Sequence, residues 1–302
     1  MNYYCKILTN LGFIYLMKSP LISIITPAYK AQKTIRRTVK SLIGQDFLDW
    51  EMIIISDDQQ NYEEILLAQD VTDKRLQFIS TDGYGLGAAH ARNRGLQKAK
   101  GQYIASLDAD DVFKPDKLSK MIPLVERYGA AVSDIEIRDD NSDLLLEKLN
   151  LTSDQDSLGP KEILWFCLHS CSVYLYDRNV IKDLFYDEHL SVLEDNVFLM
   201  SFFNYLDQIG YTKEPHHVYY KRNHSLCNSS NTHIVFHDAK MKILEEIDSN
   251  QISIENNLAK VELKRYIEFG LEIDKIYDEK ILNNQSIEWL EIFKNKLQEL
   301  KL

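Results

Sequence analysis

From residue 21 onward, short apolar runs alternate with segments of helical period. Residues 21–26 (LISIIT), 52–56 (MIIIS), 76–80 and 103–107 are short, rich in β-favouring side chains and bounded by polar residues, the signature of buried strands. Between them, residues 31–42 place Ile35, Val39 and Leu42 or Ile43 on one face, as an amphipathic helix packed on a sheet does. Residues 62–69 and 88–98 read as two further helices, the second closed off by Gly101. Strands and helices alternating at this short period predict βαβ units, hence an α/β fold with a mostly parallel central sheet flanked by helices. Pro27 predicts the end of the first strand.

The second half is less regular. Residues 116–128 read as a helix just after Pro115, 130–138 as a strand, and 139–159 as a long polar loop placed to cover an acceptor. A helix over 161–168, a strand over 172–176 and a short helix over 178–184 follow. Asp195 is placed to cap an apolar helix over 196–206. Residues 216–221 read as an edge strand, followed by the basic patch Lys221, Arg222 and His224 and a polar run over 228–232. The last seventy or so residues form a helical C-terminal extension. There Leu290, Phe293, Leu297 and Leu300 share one apolar face, read as packing within the chain, with a homodimer seam as the alternative.

Composition narrows the classes. With 302 residues, 45% hydrophobic and 11% aromatic, the chain has ample material for a core. A formal charge of -11 argues against a protein that grips nucleic acid and disfavours broad attachment to an anionic membrane. The apolar run over 11–28 is broken by Lys18, Ser19 and Pro20, so no transmembrane span is expected. The four cysteines, Cys5, Cys167, Cys171 and Cys227, make no disulfide framework in a chain this long. Cys167 and Cys171 flank His169 at helical spacing, but zinc binding lacks a second close pair; buried free thiols in a reducing compartment are the expectation. Met17 stands just before the first strong strand, which suggests residues 1–16 as a poorly packed extension or an effect of start-site choice.

The candidate chemistry centres on YIASLDADD, residues 103–111. A buried strand ends there in Asp108, Asp110 and Asp111. In open α/β sheets ligands bind beyond the carboxyl ends of strands, and two carboxylates at i, i+2 can converge on one hard divalent ion. An acidic turn without an ion is the alternative. Gly83, Gly85 and Gly87 invite comparison with a dinucleotide fingerprint, but that fingerprint follows the first strand, which here runs into TPAY without a glycine.

Taken together, SIITPAYKAQKTIRRTVKSLIGQ, the strand ending in Asp57, GAAHARNRGLQKAKGQYIASLDADD and LEDNVF resemble, in order, the family 2 glycosyltransferases, inverting nucleotide-sugar enzymes of GT-A fold. The resemblance covers about residues 21–225. It implies that Pro27, Ala28 and Tyr29 line the nucleotide base and that Asp57 accepts a hydrogen bond from it. Asp57 is followed by Asp58-Gln59-Gln60, where the family has aspartate-glycine-serine, and Gly85 replaces a common asparagine. Arg92 is implied to pair with Asp108 or Asp57, or to approach the phosphates. The DxD motif is complete in Asp108-Ala109-Asp110. Asp110 is implied as the main ligand of Mn²⁺ or Mg²⁺, and Asp108 as a ligand of ribose or of coordinated water. Glu194-Asp195 matches the ED motif, with Asp195 as general base and Glu194 orienting it or binding an acceptor hydroxyl. Arg222 is the implied phosphate contact, with His224 a second candidate or a metal ligand.

The expected protein is therefore a cytoplasmic or membrane-peripheral, metal-dependent glycosyltransferase. Its expected partners are a nucleotide-sugar donor, UDP-linked by preference, and a glycan or lipid-linked glycan acceptor of surface polysaccharide synthesis. Residues 1–19 are an extension, 20–234 the catalytic domain (20–111 for the donor, 112–234 for the acceptor) and 235–302 the helical region. A nucleotidyltransferase requires a glycine-rich loop that TPAYKAQKT lacks. A degenerate domain acting as a scaffold has no physical need to keep Asp108, Asp110 and Asp195.

Overall fold

The computed structural model describes residues 4–9, 12–17, 19–148, 155–166, 173–222, 232–282 and 289–299. Cys167, His169, Cys171, His224, Cys227 and Leu300, together with the side chains of Cys5, Leu290 and Leu297, lie outside what is described. Two short strands, β1 (Tyr4–Thr9) and β2 (Gly12–Met17), pair antiparallel as a separate hairpin.

The main body is a ten-stranded mixed sheet. Its parallel part contains β3 (Ile22–Ala28), β4 (Trp50–Ser56), β5 (Leu76–Ser80) and β6 (Tyr103–Ser106), with β3 between β4 and β6 and β5 outside β4. The other part contains β7 (Val112–Phe113), β8 (Ala130–Asp139), β9 (Leu145–Lys148), β10 (Ser157–Leu158), β11 (Leu175–Asp177) and β12 (Ile209–Lys221). Here β11 runs antiparallel between β6 and β8, whereas β12 runs parallel to β8.

Alternating side chains bury both faces of the sheet. Ile22, Ile24, Met52 and Ile54 join one core with α1 (Ile35–Ile43), α2 (Tyr62–Leu67) and α4 (Lys117–Tyr128). Ile25, Ile53 and Ile55 join the other with α3 (Ala88–Lys98), α6 (Glu194–Ser201), α7 (Thr232–Asp248) and α8 (Asn257–Leu282). A Cβ on Gly95 would lie 2.5 Å from Ile25 Cγ2 and 2.9 Å from Ile55 Cδ1, so the glycine lets α3 lie flush on the sheet. A smaller aromatic core joins Trp165 of α5 (Pro160–Phe166), Phe269 and Ile273 of α8, and Ile292 and Phe293 of α9 (Trp289–Glu299). Phe293 and Ile292 thus pack within the chain.

Several sequence expectations need correction. Pro27 does not stop the first strand: β3 runs on to Ala28, with Pro27 opposite Ile55. Ile25 C=O faces β6, accepting from Leu107 N, and two residues on Pro27 faces the same way, past the last β3–β6 pair at Ile25 and Ser106, so its missing N–H breaks no ladder bond. Residues 216–221 are not an edge but the end of β12, which has β8 on one side and β7 and β10 on the other. Residues 178–184 form no helix. Asp177 C=O takes the N–H groups of Val180 and Ile181 in a single turn, and Asp183 has φ 52°, which ends helical geometry. The loop over 139–159 carries β9 and β10. Asp195 does not cap the following helix; it lies in the first turn of α6, with Leu193 at the cap in left-handed geometry (φ 62°).

Candidate active site

β3, β4 and β6 are parallel and end on one edge of the sheet, which places Tyr29, Asp57 and Asp108 together beyond their carboxyl ends. Asp57, one residue past β4, is buried. Its Oδ1 accepts from Thr81 Oγ1 (2.8 Å) and Leu86 N (3.0 Å), and its Oδ2 accepts from Gly87 N (2.9 Å). The carboxylate therefore holds the loop over 81–87. That loop needs positive φ at Gly85 (67°) and Gly87 (101°), where side chains are strained, and it delivers the chain into α3. One lone-pair direction on Oδ2 remains beyond these bonds.

Tyr29 and Tyr84 meet edge to face over this loop, ring centroids 5.7 Å apart, and both are exposed (44% and 57%). Pro27 is half-buried. Ala28 is fully buried, and its C=O accepts from Asp57 N. What Ala28 offers the site is backbone, not a side-chain surface.

Asp58 is a residue that sequence reasoning passed over. Buried, it accepts from Lys30 N (2.7 Å), Tyr62 Oη (3.1 Å), Ser56 Oγ (3.2 Å), Gln32 Nε2 (3.3 Å) and Gln60 N (3.3 Å). It ties the segment after β3 to the start of α2 and so sets where Tyr29 stands. The signal in the sequence was the pair Asp57-Asp58 at the end of a strand, where Asp58 keeps the second aspartate and Gln59 and Gln60 replace the glycine and serine that follow it in the family.

Arg92 is the hinge between the two halves of the site. Buried at 4% exposure, it donates from Nη2 to Asp108 Oδ1 (2.9 Å) and from Nη1 to Glu194 Oε1 (2.6 Å). It does not pair with Asp57. The surrounding negative charges of Asp108, Glu194 and Asp195 keep its guanidinium protonated against the cost of burial. Burial and the charge of Asp195 push the Glu194 carboxyl up to about 7, and Arg92 opposes that rise. Asp195 is half-buried, with Oδ1 accepting from Asn196 N (2.9 Å).

Burial and the charges of Asp111 and Asp108 push Asp110 up to about 7, against the pull of Arg222, which contacts its Oδ2. Arg37, also missed from sequence, donates from Nη2 (2.6 Å) and Nε (3.1 Å) to the Asp110 carbonyl. Its Nη1 reaches Asp140 (2.5 Å), and its guanidinium stacks 3.7 Å from the Tyr220 ring centroid. Asp111 turns inward. Its Oδ1 accepts from Tyr220 N (3.1 Å), and its Oδ2 lies 3.0 Å from His217 Nε2. His217 Nδ1 in turn lies 3.3 Å from Lys117 Nζ, which donates to Val173 O (3.2 Å). Burial pushes His217 well down, toward the neutral imidazole. This chain locks the turn over 108–111 to β12, the strand that ends beside Arg222. Its members are about a hundred residues apart in sequence, and no local pattern marks them.

Crowded carboxylates at Asp108 and Asp110, one of them held toward its protonated form by its neighbours, suit a hard divalent cation with oxygen ligands. Separately, Asp116, Glu214 and His216 offer ligand atoms within 4.8 Å of one another, a cluster that can hold a metal ion. Among the described residues no helix is long and apolar enough to cross a membrane.

Among solved structures, the chain is similar to S. aureus TarS 1-349 in complex with UDP-GlcNAc, with TM-score 0.61, 18% identity, and 82% of this chain and 71% of that chain covered. The same protein in complex with UDP gives 0.58 at 17% identity, covering 82% of this chain and 70% of that one. At these identities the likeness is one of fold. Among curated relatives, the putative teichuronic acid biosynthesis glycosyltransferase TuaG of Bacillus subtilis is 39% identical over 38% of this chain and 45% of its own. The UDP-Glc:alpha-D-GlcNAc-diphosphoundecaprenol beta-1,3-glucosyltransferase WfaP of Escherichia coli is 33% identical over 54% of this chain and 63% of its own. In both, the match spans less than two thirds of the relative's length. The model of the family described as Glycosyl transferase family 2 matches residues 23–185, more than half of the sequence, and the chain belongs to that family.

Proposed function

We propose that this chain is an inverting glycosyltransferase that moves a hexose or N-acetylhexosamine from a UDP-sugar to a hydroxyl of a glycan or lipid-linked glycan in surface polysaccharide synthesis. The observation that carries the reading is the Arg92 bridge, which joins the DxD carboxylate Asp108 to Glu194 of the ED pair at one sheet edge. The names of the relatives, teichuronic acid synthesis for one and UDP-glucose transfer to a diphosphoundecaprenol-linked sugar for another, support the substrate class.

Tyr29 and Tyr84 receive the base, and Asp57 accepts from its imide N–H through the remaining lone pair on Oδ2. Asp110, with Asp108, would hold Mn²⁺ or Mg²⁺, and such an ion would supply charge to offset that of the leaving diphosphate. Arg222, one-third exposed at the end of β12, turns from Asp110 to the phosphates when the donor enters. Asp195 takes the proton of the acceptor hydroxyl as its oxygen attacks the anomeric carbon. The bond from that carbon to the diphosphate breaks on the opposite face, and the nucleoside diphosphate leaves with the electron pair. Glu194, held by Arg92, fixes the helix start on which Asp195 stands. Residues 20–111 form the donor half and residues 112–234 the acceptor half, at the inner face of a membrane where a lipid-linked acceptor is presented.

Calorimetry of UDP, GDP, CDP and dTDP, each with and without Mn²⁺, tests the donor side. Binding of UDP that requires metal is expected, and no binding by any of the four defeats the reading. On the acceptor side, Asp195→Asn is expected to keep donor affinity while lowering transfer by roughly 10²–10⁴. Transfer within threefold of the parent enzyme removes Asp195 from the mechanism.

A further inference from the structure

We propose that His216 and Glu214, oriented by Asp116, form a second cation site, distinct from the Asp108–Asp110 turn and suited to a borderline divalent ion such as Zn²⁺. The argument begins with a buried imidazole that has one nitrogen accounted for and one not. His216 lies in β12 at 2% exposure, and its Nδ1 is 3.0 Å from Asp116 Oδ1. A carboxylate only accepts, so Nδ1 carries the hydrogen, and in the neutral ring Nε2 then presents a bare lone pair. That Nε2 is shielded from solvent and has no hydrogen-bond partner. What faces it, at 3.6 Å, is Glu214 Oε2.

Two acceptors facing each other require something positive between them. A proton on Nε2 would make the two an ion pair, but their 3.6 Å separation is longer than the roughly 2.7–2.9 Å of a charge-assisted hydrogen bond. It suits two ligands of one ion: with metal–nitrogen and metal–oxygen distances of about 2.1 Å, a 3.6 Å separation subtends an angle of roughly 120°, near that of a four-coordinate centre. Asp116 then takes the place of the carboxylate that orients a metal-bound histidine through its other nitrogen.

The backbone is arranged for this. Asp116 precedes α4 but makes no side-chain cap bond to it; its carboxylate is turned to His216 instead. The register of β12 against β8 shifts on both sides of Pro215, an irregularity that re-aims the neighbouring side chains Glu214 and His216. Lys114 N donates to the His216 carbonyl (2.9 Å) and holds the strand beside the start of α4. Glu214 keeps 72% of its side chain exposed, so the remaining coordination positions open to water or to a further ligand. One imidazole and one carboxylate favour Zn²⁺ over Mg²⁺.

The test is calorimetric titration of the full chain with Zn²⁺, its cysteines first blocked by alkylation, comparing the parent with Glu214→Gln, His216→Gln and Asp110→Asn. The expected result is an equivalent of Zn²⁺ whose affinity falls at least tenfold in Glu214→Gln and His216→Gln and is retained in Asp110→Asn, with Mg²⁺ failing to compete. Glu214 is exposed, so its variant keeps the fold and decides the matter even where His216→Gln misfolds. No Zn²⁺ binding by the parent, or binding that survives Glu214→Gln unchanged, overturns the proposal. So does an imidazole NMR spectrum in which the His216 Nε2 resonance is unchanged after Zn²⁺ is added.

Discussion

In metal-free protein, Asp110→Asn is expected to stabilise the fold at pH 8 and, by only about a third as much, at pH 5. In the folded chain Asp110 titrates at about 7, against 3.8 when unfolded. Between those values the folded state keeps a proton that the unfolded state has released, so stability falls as pH rises from about 4 to 7 and the loss is complete above 7. At 1.36 kcal/mol per pKa unit the gap amounts to about 4 kcal/mol. Asp110 keeps 23% of its side chain exposed and touches Arg222, so solvent and that cation reduce the realised effect to ~1–3 kcal/mol. Asparagine removes the charge while matching the shape of the protonated acid. Urea unfolding with a chelator present, at both pH values, measures the difference between parent and variant. That difference isolates Asp110 from Glu194 and Asp134, which also sit at about 7 and bias stability in the same direction. A variant equally stable relative to the parent at both pH values, or less stable at pH 8, refutes the argument. On the proposed metal role, adding Mn²⁺ is expected to close the gap or reverse it. An ion at a hundred times its dissociation constant stabilises the parent by about 2.7 kcal/mol and leaves the variant behind.

Two further substitutions probe the scaffold. Arg92→Met leaves Asp108 and Glu194 facing each other without their cation, and an unfolding free energy lower by roughly 3–5 kcal/mol is expected at pH 8; a loss under 1 kcal/mol by denaturant titration contradicts the bridge. Gly95→Val drives a side chain into Ile25 and Ile55, and a loss of about 1–3 kcal/mol is expected by the same measurement; an unchanged midpoint shows that α3 is not held flush.

Much of the first half of the sheet was legible because its elements are local. The β4–α2–β5–α3–β6 series declares itself through apolar runs and helical spacing, and Asp57 and Asp108 fall where strands end. Pro27 misled because the rule that proline ends a strand depends on whether its missing N–H faces a neighbour, which only the sheet order decides. The second half resisted because its pairings are distant. β12 reads as an edge from its own residues yet is interior once β8 and β7 are placed beside it. Arg37 at the Asp110 carbonyl, and Lys117 and His217 behind Asp111, join segments 73 to 106 residues apart, and no spacing rule connects them. Leu193 occupies a cap position because the chain enters α6 in left-handed geometry, which a leucine does not advertise.

The three arginines around the acidic turn do different work, and the difference is testable. Arg92 and Arg37 are committed: each uses its planar fork to hold two groups at once, Asp108 with Glu194 and the Asp110 carbonyl with Asp140. Arg222 rests on the Asp110 carboxylate, the group proposed to hold a cation, at the end of a strand and one-third exposed. A guanidinium and a divalent ion on the same carboxylate repel each other and compete for its charge. If Arg222 moves to the diphosphate in the donor complex, it opposes the ion in the free enzyme and supports it once the nucleotide is bound. Arg222→Ala is therefore expected to bind Mn²⁺ alone several-fold more tightly and Mn²⁺-UDP at least tenfold more weakly, since a charge-assisted contact is worth about 1.5–3 kcal/mol. Paramagnetic resonance titration of free Mn²⁺, with and without UDP, reads both quantities. Changes of the same sign in the two titrations mean that Arg222 does not exchange between the carboxylate and the phosphates.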